Sequence, residues 1–209
     1  MKFLSLTKTI IMKAVFLASL FALSVFALNA QSKSKHADPA IEFGVKAGLN
    51  ISNVHVQNSN NPDSKASFHI GALAHIHLSQ QWAVQPEIMY SGQGYKQTIA
   101  NTEYITRLNY INIPVLAQFM FAEGFRLETG PQLGLLAAAH TKVNKVSTDV
   151  KDNFKGADFS WVFGFGYLSS VGLGVDARYN LGIANINDIS STNVNNRVFQ
   201  LGLFYQFGH

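Results

Sequence analysis

The sequence contains no cysteine. That excludes disulfide frameworks and thiolate-based catalysis or metal binding, and it leaves the redox compartment open. Charge is also scarce. Asp, Glu, Lys and Arg make up 13% of the chain, against about 25% in ordinary soluble domains. Long apolar runs are missing too. Beyond residue 30 nothing approaches the roughly 20 consecutive apolar residues that a membrane-spanning helix needs, so any bilayer would have to be crossed by strands. The formal charge of +4 is concentrated at one end. Without Lys2, Lys8 and Lys13 the 16 basic residues fall to 13 against 12 acidic ones, a formal +1. No basic stripe survives that subtraction, so nucleic acid is not expected as a partner.

What is present begins with an address. Three lysines in Met1–Lys13 precede the apolar stretch Ala14–Leu28, and Asn29-Ala30-Gln31 follows. A basic start, an apolar core of this length and a small residue at its end predict a secretory signal peptide over residues 1–30, cleaved between Ala30 and Gln31. Met12 begins an equally complete signal, so either Met1 or Met12 serves as the start. Residues 31–40 are polar and read as a short flexible lead-in.

From Ile41 the pattern alternates with period two, the mark of strands with two unlike faces. Eight such segments predict strands over 41–52, 68–78, 82–93, 108–121, 125–137, 158–167, 171–181 and 198–207. Their connections alternate between short turns (79–81, 122–124, 168–170) and long polar loops (53–67, 94–107, 138–157, 182–197). Outer-membrane barrels show that asymmetry, with periplasmic turns and external loops. The expectation is therefore one all-β domain over 41–207: an eight-stranded antiparallel up-and-down transmembrane β-barrel, integral to the outer membrane.

Alternation alone would also suit a soluble lipocalin-like barrel with its apolar face inward. The charges decide between them. Glu42, Lys46, Glu87, Arg126, Glu128, Asp158, Asp176 and Arg178 all share the face that carries the strand glycines, and the opposite face has none. Such a face suits a crowded polar lumen, because small residues make room for long charged ones inside a narrow barrel. On the apolar face, aromatics gather near the strand ends: Phe43, Trp82, Phe121, Phe125, Tyr167, Tyr205 and Phe207 at the turn side, and Phe68, Tyr90, Tyr179 and Phe199 at the loop side. Two interfacial girdles are implied.

Several stretches resemble the PorT-like or "porin family" outer-membrane barrels of Bacteroidota. They are Phe43-Gly44-Val45-Lys46-Ala47-Gly48-Leu49-Asn50, Gln85-Pro86-Glu87-Ile88-Met89-Tyr90-Ser91, Ile111-Asn112-Ile113-Pro114-Val115-Leu116, Thr129-Gly130-Pro131-Gln132 and Ala177-Arg178-Tyr179. The resemblance covers about residues 41–207. It implies the barrel, the outer membrane and contact with the barrel-insertion machinery during biogenesis. Members are defined by architecture, so it implies no activity. Where similar proteins end on an aromatic, Phe207 is here followed by Gly208-His209.

The candidate site is the lumen set Glu42, Lys46, Glu87, Arg126, Glu128, Asp176 and Arg178. It reads either as a gate whose ion pairs switch or as a static plug, and the plug is the expected one. His69, His75 and His77 share the lumen face of the second strand. His75 and His77 are spaced to chelate a metal, but no carboxylate adjoins them in sequence, so no metal and no cofactor are expected. Ser91, Ser160 and His140 have no spacing that joins nucleophile to base, and no catalytic residues are assigned. The function expected is structural or loop-mediated interaction, without an open pore. A narrow solute conduit is the alternative, and lipid modification at the rim is the third. Partners are the bilayer and an unidentified ligand at the long loops.

Overall fold

The computed structural model describes residues 41–59, 61–144, 146–189 and 192–208. The signal peptide, its Ala30–Gln31 cleavage point and the lead-in at 31–40 lie outside the described residues.

Among the described residues nine strands follow one another: β1 (Ile41–Val56), β2 (Asp63–His77), β3 (Trp82–Ile99), β4 (Thr102–Ala122), β5 (Phe125–Val143), β6 (Val146–Asp149), β7 (Ala157–Leu168), β8 (Leu173–Gly182) and β9 (Val194–Gln206). All pairings are antiparallel. The ring runs β1-β2-β3-β4-β5-β7-β8-β9 and closes where β9 pairs with β1 from Gly44↔Gln206 to Val56↔Val194. Eight strands thus form an up-and-down barrel without an open edge, and every strand backbone can be satisfied by its neighbours. No helix among the described residues is long and apolar enough to cross a membrane.

The two faces divide as their residue types require. On β1, Phe43, Val45, Leu49 and Ile51 point outward and are exposed, with Phe43 at 64%. Lys46 and Asn50 point inward and are buried, Lys46 at 2%. The inversion holds round the ring: apolar residues cover the outside and charges fill the inside. Two polar side chains of the outer face are paired with each other. Trp161 Nε1 donates to Thr129 Oγ1 at 2.8 Å, and that hydroxyl donates to the Val162 carbonyl at 3.0 Å. The turn-side girdle is continuous from Trp82 through Phe119, Phe121 and Phe125 to Tyr167. Phe68 and Tyr90 meet at the loop side.

The strands are longer at the loop end than alternation alone suggested. The expected loop 94–107 is instead a hairpin, paired from Gly94↔Arg107 out to Ile99↔Thr102. Its turn is the pair Ala100-Asn101, both at positive φ (47° and 61°). That geometry matches the strand twist but is usually marked by Asn-Gly, so Ala-Asn carried little signal. β6 is a short strand within the expected loop 138–157, laid against β5 from His140↔Asp149 to Val143↔Val146. At the other end, β8 starts at Leu173. Gly172, placed by alternation on the lumen face of the strand, belongs to the preceding turn at φ +82°.

One irregularity shapes the mouth. The β4–β5 register shifts between Asn109↔Ala138 and Tyr110↔Leu136, leaving Ala137 without a partner. Such a bulge re-aims the residues beyond it, and both Leu136 and Ala139 end up buried.

Candidate functional site in the barrel lumen

The interior is stacked in layers along the barrel axis. At mid-height lies the charged layer. Lys46 comes from β1, Glu87 from β3, Arg126 and Glu128 from β5, and Asp176 and Arg178 from β8. All six are buried. Their spacing of two along a strand puts each pair on β5 and β8 on one face.

Arg178 is the hub. Its Nη1 and Nη2 donate to Glu87 Oε2 and Oε1 at 2.8 Å each. Its Nε donates to Glu128 Oε1 at 2.8 Å, and Nη2 also reaches Glu128 Oε2 at 3.0 Å. Asp176 lies 3.3 Å from Nη2 and is paired with Lys46. The planar fork of arginine suits this double bidentate capture in a way a lysine could not. The amides Gln85 and Gln118 donate to Glu87 Oε1 (2.7 Å) and Glu128 Oε2 (2.9 Å). Arg126 is held more loosely, 3.5 Å from Gln118 Oε1 and from Gln206 Oε1, with its guanidinium over the Phe204 ring. Lys46, Arg126 and Arg178 balance Glu87, Glu128 and Asp176, so the layer is neutral. Neutrality matters because an unpaired buried ion costs several kcal/mol.

Glycines make the layer fit. A Cβ on Gly164 would stand 2.8 Å from Glu128 Cγ and 2.9 Å from Arg178 Cγ; one on Gly202 would collide with Asp176 Oδ1.

Towards the loop end comes an uncharged polar layer. Asn50 Nδ2 donates to Ser91 Oγ (3.0 Å) and to the Gly92 carbonyl (2.7 Å), while its Oδ1 accepts from Gln200 Nε2 and faces His69 Nδ1 at 2.7 Å. Beyond it Asp158 is buried near Asn196. An apolar cap closes this end: Val54, Leu108, Tyr110, Leu136, Ala139 and Ile186. Ile186 comes from the β8–β9 connection and is fully buried. The segment 150–156 is laced to it, since Lys155 N donates to the Ile186 carbonyl at 2.8 Å and Asp188 N to the Asn153 carbonyl at 3.1 Å. The asparagines of this connection hold it in shape: Asn185 Oδ1 accepts from the backbone of Asn187 and Val194. Asparagine commonly shapes turns in this way. A cavity of about 300 Å³ lies beside this cap, bordered by Tyr95, Phe154 and Asn187.

At the turn end Leu73, Leu168 and Phe204 form a smaller apolar cluster. Below it a cavity of about 500 Å³ opens, bordered by Glu42, His75, His77 and Arg126. Glu42 stands at the mouth and borders the same cavity as Arg126 of the charged layer. His75 and His77 are brought together, with Nε2 atoms 3.3 Å apart, whereas His69 is engaged with Asn50 in another layer. Ser91 and Ser160 are buried in the lumen, Ser160 accepting from Gln132 Nε2. His140 pairs across to Arg107 and Asp149 on neighbouring strands. The structure therefore does not bring these three together.

Alternation placed Leu73, Tyr110 and Leu116 on the inner face but gave no sign that apolar residues would close both ends. The continued alternation of Val54 and Val56 past Ser52 was the available signal for the cap. Ile186, from a loop, had none.

The family model described as outer membrane protein beta-barrel domain matches residues 29–188. Among solved structures, Neisserial surface protein A is similar at a TM-score of 0.58 and 15% identity, covering 80% of this chain and 99% of that one. The attachment invasion locus protein Ail of Yersinia pestis is similar at 0.50 and 15% identity, covering 82% and 100%. At such identities the likeness is one of fold. No curated protein sequence matches the chain.

Proposed function

Because the chain belongs to the outer membrane protein beta-barrel domain family, we propose that it acts as a filled, non-conducting barrel whose rigid wall presents the lid formed by the β5–β7 and β8–β9 connections. The observation that carries this reading is the Arg178–Glu87 ion pair. β3 and β8 stand opposite one another in the ring, with three strands between them on either side. The bidentate contact therefore spans the lumen at its middle. The apolar cap lies above it, and a solute would have to displace both.

In this reading residues 1–30 are the export signal, cut between Ala30 and Gln31, and the barrel-insertion machinery is a transient partner. The short turns face the periplasm, so the lid faces outward. Its cavity beside Tyr95, Phe154 and Asn187 is where a ligand of the loops would dock. The finer family assignment is to the PorT-like barrels of Bacteroidota, on the strand motifs quoted above. We assign no catalytic role, as Ser91, Ser160 and His140 lie in different places.

Liposome swelling tests the proposal. Vesicles carrying the refolded protein should swell in a small sugar no faster than empty ones. Swelling that grows with protein content would establish a conduit instead, and loss of a lipid A acyl chain on expression would establish an enzyme.

A further inference from the structure

His75 and His77 are two residues apart on β2, so both rings enter the lumen from the same face. Their Nε2 atoms lie 3.3 Å apart and their rings meet edge to face, with centroids 4.4 Å apart. Two imidazole nitrogens on one tetrahedral ion, each at about 2.0–2.1 Å, stand roughly 3.3–3.4 Å from each other. The spacing is that of a chelate.

The same spacing suits a hydrogen bond between the rings when His77 carries its hydrogen on Nε2, and the partners of His75 fix which of its nitrogens holds the hydrogen. His75 Nδ1 faces Gln85 Oε1 at 3.3 Å. The Gln85 amide cannot turn round, because its Nε2 donates to Glu87 Oε1 at 2.7 Å. An amide oxygen only accepts, so His75 carries its hydrogen on Nδ1 and aims the Nε2 lone pair at His77. His77 Nδ1 is buried without a hydrogen-bond partner among the described residues. A ring-to-ring hydrogen bond would need the His77 hydrogen on Nε2 and would leave Nδ1 an unpartnered acceptor, just as the other tautomer leaves it an unpartnered donor. With the hydrogen on Nδ1, two Nε2 lone pairs confront each other. A cation between them relieves that second arrangement. The amide behind His75 is also the kind of outer partner that fixes the tautomer of a metal-binding histidine.

The pair is reachable, since both rings border the cavity of about 500 Å³ at the turn end. Glu42 and Arg126 border it as well, and Glu42 is the direct cross-strand partner of His75. Imidazole donors beside a carboxylate suit copper(II), nickel(II) or zinc(II) rather than magnesium or calcium. We propose that His75 and His77 form a two-nitrogen chelating site for a borderline divalent cation at the turn-side mouth of the barrel, with the Glu42 carboxylate as neighbouring counter-charge.

The test is titration of the mature protein, folded in detergent, with copper(II) alone, followed by calorimetry and electron paramagnetic resonance. One equivalent should bind with a two-nitrogen signature. His77→Gln should abolish that equivalent, and Gln85→Leu should weaken it about tenfold, the usual effect of losing an outer partner. His69→Gln should leave it unchanged. Each variant is used only where its unheated gel mobility shows a folded barrel. Copper binding by His77→Gln equal to that of the native protein would overturn the proposal. So would native stoichiometry no greater than that of a His75→Gln/His77→Gln double variant.

Discussion

Arg178 on β8 reaches across the full width of the lumen to hold both carboxylate oxygens of Glu87 on β3, at 2.8 Å each. The contact joins residues 91 positions apart in sequence and, with Glu128 and Asp176, makes one cation the partner of three anions. Removing the cation alone would strand Glu87 and Glu128. Arg178→Met should therefore lower unfolding free energy by about 3–5 kcal/mol, the usual cost of breaking a buried pair from one side. Adding Glu87→Gln restores neutrality, with Lys46 and Arg126 against Glu128 and Asp176, and should recover most of the loss. Urea unfolding in lipid vesicles measures both, and a double variant no better than the single one would contradict the account.

The glycines opposite that layer lead to a second expectation. Gly164 faces Glu128 and Arg178 in register, and Gly202 faces Asp176. Gly164→Val and Gly202→Leu push atoms into side chains that the network already fixes. Overpacking of this kind costs about 1–3 kcal/mol. The same substitutions at Gly156, where an added Cβ would meet nothing within 4 Å, should be silent by the same unfolding assay.

The outer face makes the opposite demand. Leu203 is 53% exposed and lies between the two aromatic girdles. Leu203→Arg should cost about 2–4 kcal/mol in a bilayer, as a cation on the lipid face near the midplane does. Unchanged stability in vesicles would place that face in water.

The lid should open separately from the ring. Ile186 is a single loop residue plugged into the apolar cap, and Ile186→Ala removes contacts worth about 2–5 kcal/mol. Hydrogen exchange should speed at Lys155 and Ile186, whose amides bond to the Ile186 and Val194 carbonyls. Protection along β1–β9 should persist. Uniform loss of protection would show that lid and ring unfold together.

How much of this was legible in the sequence follows from what each feature depends on. The ring and the sidedness of every strand charge rest on period-two alternation, a local property, and Lys46, Glu87, Arg126, Glu128, Asp176 and Arg178 all point inward where it placed them. Who pairs with whom was not legible, because Arg178 and Glu87 meet only through strand order and register. Alternation gives the face but not the height, so it did not show that Glu42 sits at the mouth, on the same cavity as Arg126. The hairpin around Ala100-Asn101 was hidden by a turn pair without glycine. The cap was hidden for two reasons: the Ala137 bulge breaks the local count, and Ile186 arrives from a loop of asparagines that looked like solvated chain.

The central claim is that the Arg178–Glu87 span and the cap above it close the lumen. Single-channel recording of the native protein in a planar bilayer tests it most directly. The account predicts no stable conductance steps across the voltage range. Regular ohmic steps from a folded, heat-modifiable native preparation would contradict it, and the lumen charges would then have to be read as a gate.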